Sequence, residues 1–296
     1  MNLAHLYYFA KLSEIKNYTA AADELFISQP TLSLAISGLE KELGTKLFTK
    51  KRGVIEPTEN GEAFYQYVSA SLRMLENGID YICEQTGAMN RSITIGSVYS
   101  AQGRQWSALL NAFRTKVGPD VQINIMQNTT QGALRNLKRG RNDVAFCGTM
   151  GNDPDIESLP IWTQEAALVV NRRHPFAEME SISLKCLKNC EVISYNTDGP
   201  IGAELSALVD GFDIDILRLY SDEITLCSLV AANPDTVAIA CRSWLLKSFE
   251  DDVVVLKIDE APKDFHRLYM SYRANIAHPQ IVRDFIEIAR GFDFSE

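Results

Sequence analysis

The chain of 296 residues carries a formal net charge of −9 and an apolar fraction of 46%. This length and composition predict two or three domains with packed cores rather than one. Because no run of about 18 apolar residues occurs, we expect no membrane span and no membrane partner. The amino terminus lacks a basic start before an apolar stretch, so we expect no signal peptide and a cytoplasmic protein.

Six cysteines are scattered along the chain, without a CxxC pair and without a histidine at ligand spacing. This pattern is typical of reduced thiols in a cytosolic protein, and it predicts no metal site and no bound cofactor. Cys186 and Cys190 stand four residues apart, which leaves a redox switch open beside an ordinary pair of core thiols.

The excess of acidic residues lies outside residues 1–60, which carry equal numbers of basic and acidic side chains. Within that segment, Lys46, Lys50, Lys51 and Arg52 form a cluster with no acidic residue between them. A basic cluster at one end of an acidic protein favours orientation of that end toward phosphate. A solvated run of surface charge is the alternative.

The first two predicted elements are short helices. Residues 3–15 carry an apolar stripe at helical spacing, and the alanines at 20–22 with Leu25 predict a second helix. Phe26 and Ile27 follow as residues that we expect to pack into a tight turn. Small alanines allow another helix to approach closely, as a helix-turn-helix requires.

A third helix is predicted after this turn. Ser28 is a candidate N-cap, Pro30 suits the first helical turn, and Gly44 is a helix-stopping residue. Apolar residues form one face of the helix. The other face carries short polar groups suited to base edges and phosphates, namely Gln29, Thr31, Ser33 and Ser37. Two short strands at 47–50 and 54–56 then predict a hairpin with a basic tip at 51–53.

A long helix is predicted over residues 58–84, with Thr58 as its candidate N-cap. Apolar residues recur along it at steps of four, four, three, four and three, which indicates the a/d pattern of a coiled coil. We expect this stripe to pair with a second copy of the chain, and packing on its own domain is the alternative. The stripe consists of Phe64, Val68, Leu72, Leu75, Ile79 and Ile82.

From residue 92 onward, strands alternate with helices, which predicts a mainly parallel sheet. Helices are predicted at 106–113, 133–138 and 280–289. Strands are predicted at 92–96, 121–125, 143–146, 166–170, 192–195, 217–220, 237–240 and 266–271.

The segment from Ala21 to Phe48 reads AAxxLxxSQPTLSxxIxxLExxLGxxLF and resembles the head of the LysR-type transcriptional regulators. The similarity continues through Lys50, Arg52, Gly53 and residues 58–61, the wing and linker start of that family. Leu34 and Lys50 stand where many members have arginine, and Pro57 stands where leucine is usual.

The resemblance implies an α plus α/β architecture: a winged helix-turn-helix, a long linker helix and a two-lobed effector domain like a periplasmic binding protein. The implied boundaries are 1–58 for the DNA-binding domain, 59–88 for the linker and hinge, and 91–296 for the effector domain. Lobe one would comprise 91–161 and 267–296, and lobe two 162–266. The implied partners are double-stranded DNA, further copies of the chain as a dimer of dimers, a small-molecule effector and RNA polymerase.

The same resemblance implies which residues contact DNA. The third helix would enter the major groove, and the wing would hold phosphate or reach the minor groove. The predicted DNA contacts are Ser28, Gln29, Pro30, Thr31, Ser33, Ser37, Lys50, Lys51 and Arg52.

Ligands of α/β sheets collect at the carboxyl ends of strands, near helix N-termini. Small polar residues follow several predicted strands here, and the resemblance implies that they line an inter-lobe cleft for a small inducer. Hydroxyls at 100, 130, 149 and 197 could bind a carboxylate, although each residue could instead be an ordinary N-cap. The predicted cleft residues are Val98, Tyr99, Ser100, Thr129, Thr130, Gln131, Cys147, Gly148, Thr149, Tyr195, Thr197, Gly199 and Ile201.

Two other function classes remain to be weighed. A solute-binding module without regulatory DNA binding would be favoured by an export signal, and an enzyme by turnover of a cleft ligand. We predict no catalytic residues, because the sequence lacks a GxSxG elbow, a Walker lysine loop, an HExxH pair and a GxGxxG after a strand.

Overall fold

The computed structural model describes residues 2–51, 54–85 and 91–294. The chain forms two compact units: Met1–Met89 with Arg139–Arg141, and Asn90–Lys138 with Asn142–Glu296. The implied linker and hinge of residues 59–88 lie, from residue 86 onward, outside the described residues. No helix in the described residues is both long and apolar enough to cross a membrane.

The amino-terminal unit begins with three helices and a two-stranded hairpin. Asn2 caps the first helix and Asn17 the second, each by accepting backbone N–H groups. The elements are α1 (Leu3–Ile15), α2 (Tyr18–Glu24), α3 (Gln29–Leu43), β1 (Phe48–Lys51), β2 (Val54–Pro57) and α4 (Glu59–Gln85). β1 and β2 pair antiparallel, so the predicted helix-turn-helix and wing are both present.

One apolar core holds these elements together. Phe9 of α1 contacts the rings of both Phe48 in β1 and Phe64 in α4. Leu32, Ile36 and Leu39 of α3 pack into the same core, as their helical spacing predicts. The expectation that Phe26 packs into the turn is wrong, because this side chain is 96% exposed at a left-handed backbone φ of 55°.

The apolar stripe of α4 is buried in its first half and exposed in its second half. Val68 and Leu72 are buried in the core of the amino-terminal unit, and Phe64 packs against that core partly buried. For these three residues the structure corrects the expectation of a pure dimer seam, because α1 lies against this part of α4. The later residues Leu75, Ile79 and Ile82 are exposed.

A close backbone junction fixes the start of α4. Thr58 donates its backbone N–H to the carbonyl of Leu47 at 2.9 Å, and its Oγ1 accepts from the N–H of Gly61 at 3.0 Å, as an N-cap does. A Cβ on Gly61 would lie 2.0 Å from the Leu47 carbonyl oxygen, so only glycine fits at this position.

The carboxy-terminal unit contains two sheets. The first has the strand order β4-β3-β5-β13-β6 and packs against α5, α6 and α9. Its elements are β3 (Ser92–Ser97), α5 (Arg104–Val117), β4 (Gln122–Gln127), α6 (Thr130–Lys138), β5 (Val144–Cys147), β6 (Ile156–Gln164), β13 (His266–Arg273) and α9 (Gln280–Gly291).

The second sheet has the strand order β10-β9-β11-β7-β12-β8 and shares its core with α7 and α8. Its elements are β7 (Ala166–Asn171), β8 (Ser181–Ile182), β9 (Glu191–Tyr195), α7 (Pro200–Val209), β10 (Ile216–Tyr220), α8 (Glu223–Ala232), β11 (Thr236–Cys241) and β12 (Val253–Ile258).

The two sheets are mixed rather than mainly parallel. β3 pairs parallel with β4 and β5, and β9 pairs parallel with β10 and β11, as helical crossovers require. β13 and β7 run antiparallel to the neighbours on both of their sides. These strands lie next to the two chain passages between the sheets, from Gln164 to Ala166 and from Ile258 to His266.

The Gly61 junction makes a testable prediction. Gly61→Ala should destabilise the amino-terminal unit by about 2 kcal/mol or more, because the methyl group must push the Leu47 carbonyl away. Gly38→Ala is the matched control on α3, where a Cβ meets nothing within 4 Å. It should stabilise the same unit by up to about 1 kcal/mol through helix propensity. Hydrogen exchange of peptides from residues 2–51 measures both changes, and equal exchange in the two variants would contradict the close approach.

Candidate nucleic-acid interface and effector cavity

The N-terminal half of α3 presents the residues predicted to contact DNA. Ser28 accepts the backbone N–H of Thr31 at 3.3 Å, and the two hydroxyl oxygens lie 2.8 Å apart. Most of the predicted DNA-contacting residues on α3 and its cap are exposed, and Ser33 is half-buried. This placement agrees with the polar face that the helical spacing predicts. The exposed members on α3 and its cap are Ser28, Gln29, Pro30, Thr31 and Ser37.

The exposed surface of α3 is poor in positive charge. Between Gln29 and Glu40 the helix carries no lysine or arginine. Leu34 is 74% exposed on this surface, one turn beyond Pro30, and a Cβ on Gly38 would meet open space. The helix therefore offers short polar groups and one large apolar side chain to a binding partner.

A buried carboxylate ties α3 to the wing. Oε1 of Glu40 accepts the backbone N–H groups of Leu47 at 2.9 Å and Phe48 at 3.3 Å, and Oε2 accepts Nζ of Lys46 at 2.6 Å. Burial alone would raise the pKa of Glu40, but these hydrogen bonds outweigh it and lower the pKa below its usual value. The ionised carboxylate thus fixes the wing's first strand relative to α3.

The predicted wing contacts are only partly described. Lys50 is exposed on β1. The side chain of Lys51 and the whole of Arg52 lie outside the described residues.

A cavity of about 320 Å³ lies between the two sheets of the carboxy-terminal unit. The ends of β3, β4, β9 and β10 meet the N-termini of α6, α7 and α8 around it, which is where ligands of α/β sheets collect. Seven of the predicted cleft residues line it: Val98, Tyr99, Ser100, Thr129, Thr130, Tyr195 and Ile201.

The remaining predicted cleft residues lie elsewhere. Gln131 and Thr149 line a different cavity beside α6. Cys147 is buried in the core under α6, since strand alternation turns it away from the cleft. The placement of these three differs from the prediction.

Two glycines and a threonine of the predicted list do not line the cavity. Gly148 donates its N–H to Oγ1 of Thr130 at 3.3 Å, and a Cβ there would lie 2.8 Å from Pro200. Thr197 and Gly199 belong to the loop before α7, and Thr197 is exposed. Neither lines the cavity.

The cavity is also lined by residues outside the predicted list. Five of the ten stand at or just after the ends of β4 and β10, so the same strand-end rule would have found these. His266 and Glu223 gave no such signal, because the first opens a strand and the second is helical. The additional lining residues are Gln127, Asn128, Asn196, Pro200, Gly202, Tyr220, Ser221, Asp222, Glu223 and His266.

A buried carboxyl group borders the cavity. Glu223 is 3% exposed. Tyr195 lies on the same cavity wall, and its hydroxyl oxygen accepts the backbone N–H of Cys241 at 2.9 Å. Among the described residues, nothing hydrogen-bonds Oε1 of Glu223. Burial, followed by the charge of Asp222, raises the pKa of Glu223, and hydrogen bonding to the carboxylate only partly offsets this.

A second acidic group faces the histidine of the cavity wall. Nδ1 of His266 lies 2.6 Å from Oε2 of Glu204, and the imidazole is almost fully buried. Because a carboxylate only accepts hydrogen bonds, this contact places a proton on Nδ1.

The surroundings of Cys190 do not favour a reactive thiol. Burial raises the pKa of the Cys190 thiol, and the neighbouring Cys186 raises it further, whereas a reactive thiol needs a lowered pKa. Within the described ranges, no three His, Cys, Asp or Glu side chains cluster as a metal site.

Comparison with known proteins identifies both units. Residues 3–62 match the family model for bacterial regulatory helix-turn-helix proteins of the lysR family, and residues 86–292 match the LysR substrate binding domain. The chain is 30% identical over 296 residues to the Hca operon transcriptional activator HcaR of Escherichia coli K12, covering 98% of this chain and 97% of that protein.

Further relatives agree. The chain is 31% identical over 227 residues to the transcriptional regulator BenM of Acinetobacter baylyi, which covers 75% of this chain and 70% of BenM. The solved structure of full-length CbnR with its target DNA matches with a TM-score of 0.72 at 22% identity, over 98% of this chain and 99% of that chain. This last likeness shows the fold.

Glu223→Gln should stabilise the unliganded protein at pH 7. The raised pKa means that the unfolded chain ionises first, so the wild type loses stability as pH rises above about 4.5. Glutamine keeps the shape without the buried charge, and a gain of about 1 kcal/mol corresponds to about 2–4 °C in Tm. The difference should vanish at pH 4, where the glutamate is protonated in both states.

Thermal unfolding at both pH values measures this effect. Glu191→Gln, which removes an exposed carboxylate outside the cavity, should match the wild type at each pH. A lower Tm of Glu223→Gln at pH 7 would contradict the assigned environment.

Proposed function

We propose how this chain, which belongs to the LysR family of DNA-binding transcriptional regulators, performs its role: α3 reads an operator, and a small molecule in the inter-sheet cavity controls the response. The observation that carries the proposal is the exposed N-terminal half of α3, held in place by the buried Leu32–Ile36–Leu39 face. The family consists of regulators rather than enzymes.

We assign base and sugar–phosphate contacts to α3 in the major groove. Gln29 and Thr31 at the open N-terminus have the donors and acceptors that base edges recognise, and the helix N-terminus itself favours phosphate. Lys50, with Lys51 and Arg52, would neutralise phosphates from the wing. The protein would act in the bacterial cytoplasm, where RNA polymerase would be a further partner.

Dimerisation is assigned to the exposed carboxy-terminal half of α4. Leu75, Ile79 and Ile82 continue the apolar stripe where the core of the amino-terminal unit no longer covers it. Three large apolar side chains on one helix face favour burial against a second copy. Two copies would hold two reading heads for two half-sites, and a dimer of dimers would extend the contact along the DNA.

A ligand in the cavity would control the DNA-binding heads by changing how the two lobes of the carboxy-terminal unit are arranged. The cavity lining comes from both sheets of the carboxy-terminal unit, with Ser100 and Thr130 on one side and Tyr195 and Ile201 on the other. A ligand that contacts both sides favours one arrangement of the lobes, and such coupling is typically worth about 1–3 kcal/mol.

Ile79→Lys tests the dimer assignment. Ile79 is 50% exposed, and a lysine there would place a charge in the proposed seam, so the protein should become monomeric at micromolar concentration. Tyr67→Lys is the matched control, because Tyr67 is exposed on a different face of α4. Light scattering after size exclusion measures the mass, and retardation of operator fragments measures DNA binding. A dimeric Ile79→Lys protein would contradict the assignment.

Leu34 tests the reading of DNA by α3. An exposed leucine in the major groove would contact a thymine methyl group, and loss of one such contact is worth about 0.8 kcal/mol, or about fourfold in affinity. An operator selected with the wild-type protein from random sequences is therefore resynthesised with each thymine replaced in turn by deoxyuridine. At one thymine per half-site, wild-type binding should fall about fourfold, and Leu34→Ala should be insensitive to the same replacement.

Lys41→Ala is the control for this double-mutant cycle. It removes a charge from the exposed end of α3, so it should weaken binding to all sequences and keep the sensitivity to the missing methyl group. If Leu34→Ala changes the response at no thymine, α3 does not contact DNA through this side chain.

A further inference from the structure

We infer that the carboxy-terminal unit has a second binding site, which takes an aromatic carboxylate and pairs it with Arg242. The site is a second cavity, of about 720 Å³, and it shares only Ser100 with the inter-sheet cavity proposed for the effector. Its volume lies well within the range of ligand sites. The inference depends neither on a ligand in the inter-sheet cavity nor on the reading of DNA by α3.

Aromatic rings form one side of the second cavity. The ring centroids of Trp162 and Phe294 lie 5.5 Å apart, and those of Phe294 and Phe292 lie 4.9 Å apart. All three residues line the cavity and are half-buried. Aromatic rings attract a further ring at similar centroid distances, so this side suits the ring system of a ligand.

Trp244 reaches the same cavity from the segment after β11. Its indole lies against Gly103, where a Cβ would be 2.9 Å from Cδ1, so a side chain at position 103 would displace the ring. The tryptophan nevertheless remains 46% exposed. A large aromatic side chain that is held in place at a cavity and is still open to water favours contact with an apolar ligand.

Arg242 supplies a positive charge to the second cavity. Its backbone N–H donates to the carbonyl of Glu165 at 2.7 Å, which fixes the start of the side chain. Nε lies 3.7 Å from Oε2 of Glu165, beyond hydrogen-bond distance, and the guanidinium donates no hydrogen bond to any of the described residues. The terminal N–H groups are therefore available as a fork that matches the two oxygens of a carboxylate.

The acidic residues near Arg242 leave room for a ligand carboxylate. Asp293 is the only acidic residue that lines the second cavity in the described part of the chain, and it already has an interaction partner in the protein. The side chains of Glu165 and Arg242 are each 45% exposed. Exposed ion pairs contribute little to stability, so a ligand can replace Glu165 at small cost.

Matched compounds test the ligand class on the full-length protein. Biphenyl-4-carboxylate, biphenyl-4-carboxamide and 4-phenylbenzylamine share two rings and differ in charge, whereas decanoate carries the negative charge without the rings. Titration calorimetry should show saturable binding of biphenyl-4-carboxylate, at least about tenfold tighter than binding of each of the other three compounds.

The tryptophans of the chain report where the compound binds. Of the three, Trp162 and Trp244 line the second cavity, Trp106 is buried in the core of the first sheet, and none of them lines the inter-sheet cavity. In protein labelled with 5-fluorotryptophan, single replacements by phenylalanine assign the three fluorine resonances. Biphenyl-4-carboxylate should shift the resonances of Trp162 and Trp244 by more than that of Trp106.

Three variants separate the role of Arg242 from general effects of charge. Arg242→Gln should weaken binding of biphenyl-4-carboxylate by about tenfold or more, because charged hydrogen bonds are lost, and Arg242→Lys should weaken it less. Arg114→Gln removes an equal charge from an exposed position outside both cavities and should bind like the wild type. Because Arg242 is exposed, the unliganded variants should keep the wild-type Tm, which shows that they are folded.

Four outcomes would overturn the inference: no binding of biphenyl-4-carboxylate, equal or tighter binding of any comparison compound, binding that Arg242→Gln leaves unchanged, or binding that shifts neither the Trp162 nor the Trp244 resonance. The last outcome would place the compound outside the second cavity. Retardation of the selected operator by the unliganded protein tests the proposed function separately, and neither result depends on the other.

Discussion

The packing of α4 onto the three-helix head is the constraint on which the amino-terminal unit depends. Gly61 lets the helix start against the Leu47 carbonyl, and Val68 and Leu72 then complete the core around Phe9. The recognition helix packs its apolar face into that same core. A helix whose first half is a core element and whose second half is exposed can carry a reading head rigidly and still offer a dimer surface.

A second contact that holds the amino-terminal unit together is made by Glu40. This carboxylate accepts two backbone N–H groups of the wing and a lysine ammonium, so α3 and the hairpin share one buried anchor. Glu223 differs because one of its oxygens lacks a partner among the described residues. A fully bonded buried carboxylate stabilises the fold, whereas a buried carboxyl oxygen without a partner costs stability.

The sequence predicted the local elements well where periodicity and capping agreed. The bounds of α1, α3 and α4 follow from apolar spacing together with Ser28, Gly44 and Thr58. β6 and β12 were missed, since β6 is largely exposed with a proline inside it and β12 has no alternating pattern. Phe26 was misjudged because a turn residue's exposure depends on the backbone around it, which here has a positive φ.

The sequence by itself determined the reading helix, its cap, the wing and the alternation of strands and helices, because these depend on interactions within a few residues. Only the tertiary structure decided which half of the α4 stripe is buried, and which strand ends meet at one cavity. Sequence spacing gives each side chain's direction on its own element, but not which element lies opposite. Glu223, Tyr195 and His266 therefore came together only in the folded chain, through contacts between residues far apart in sequence.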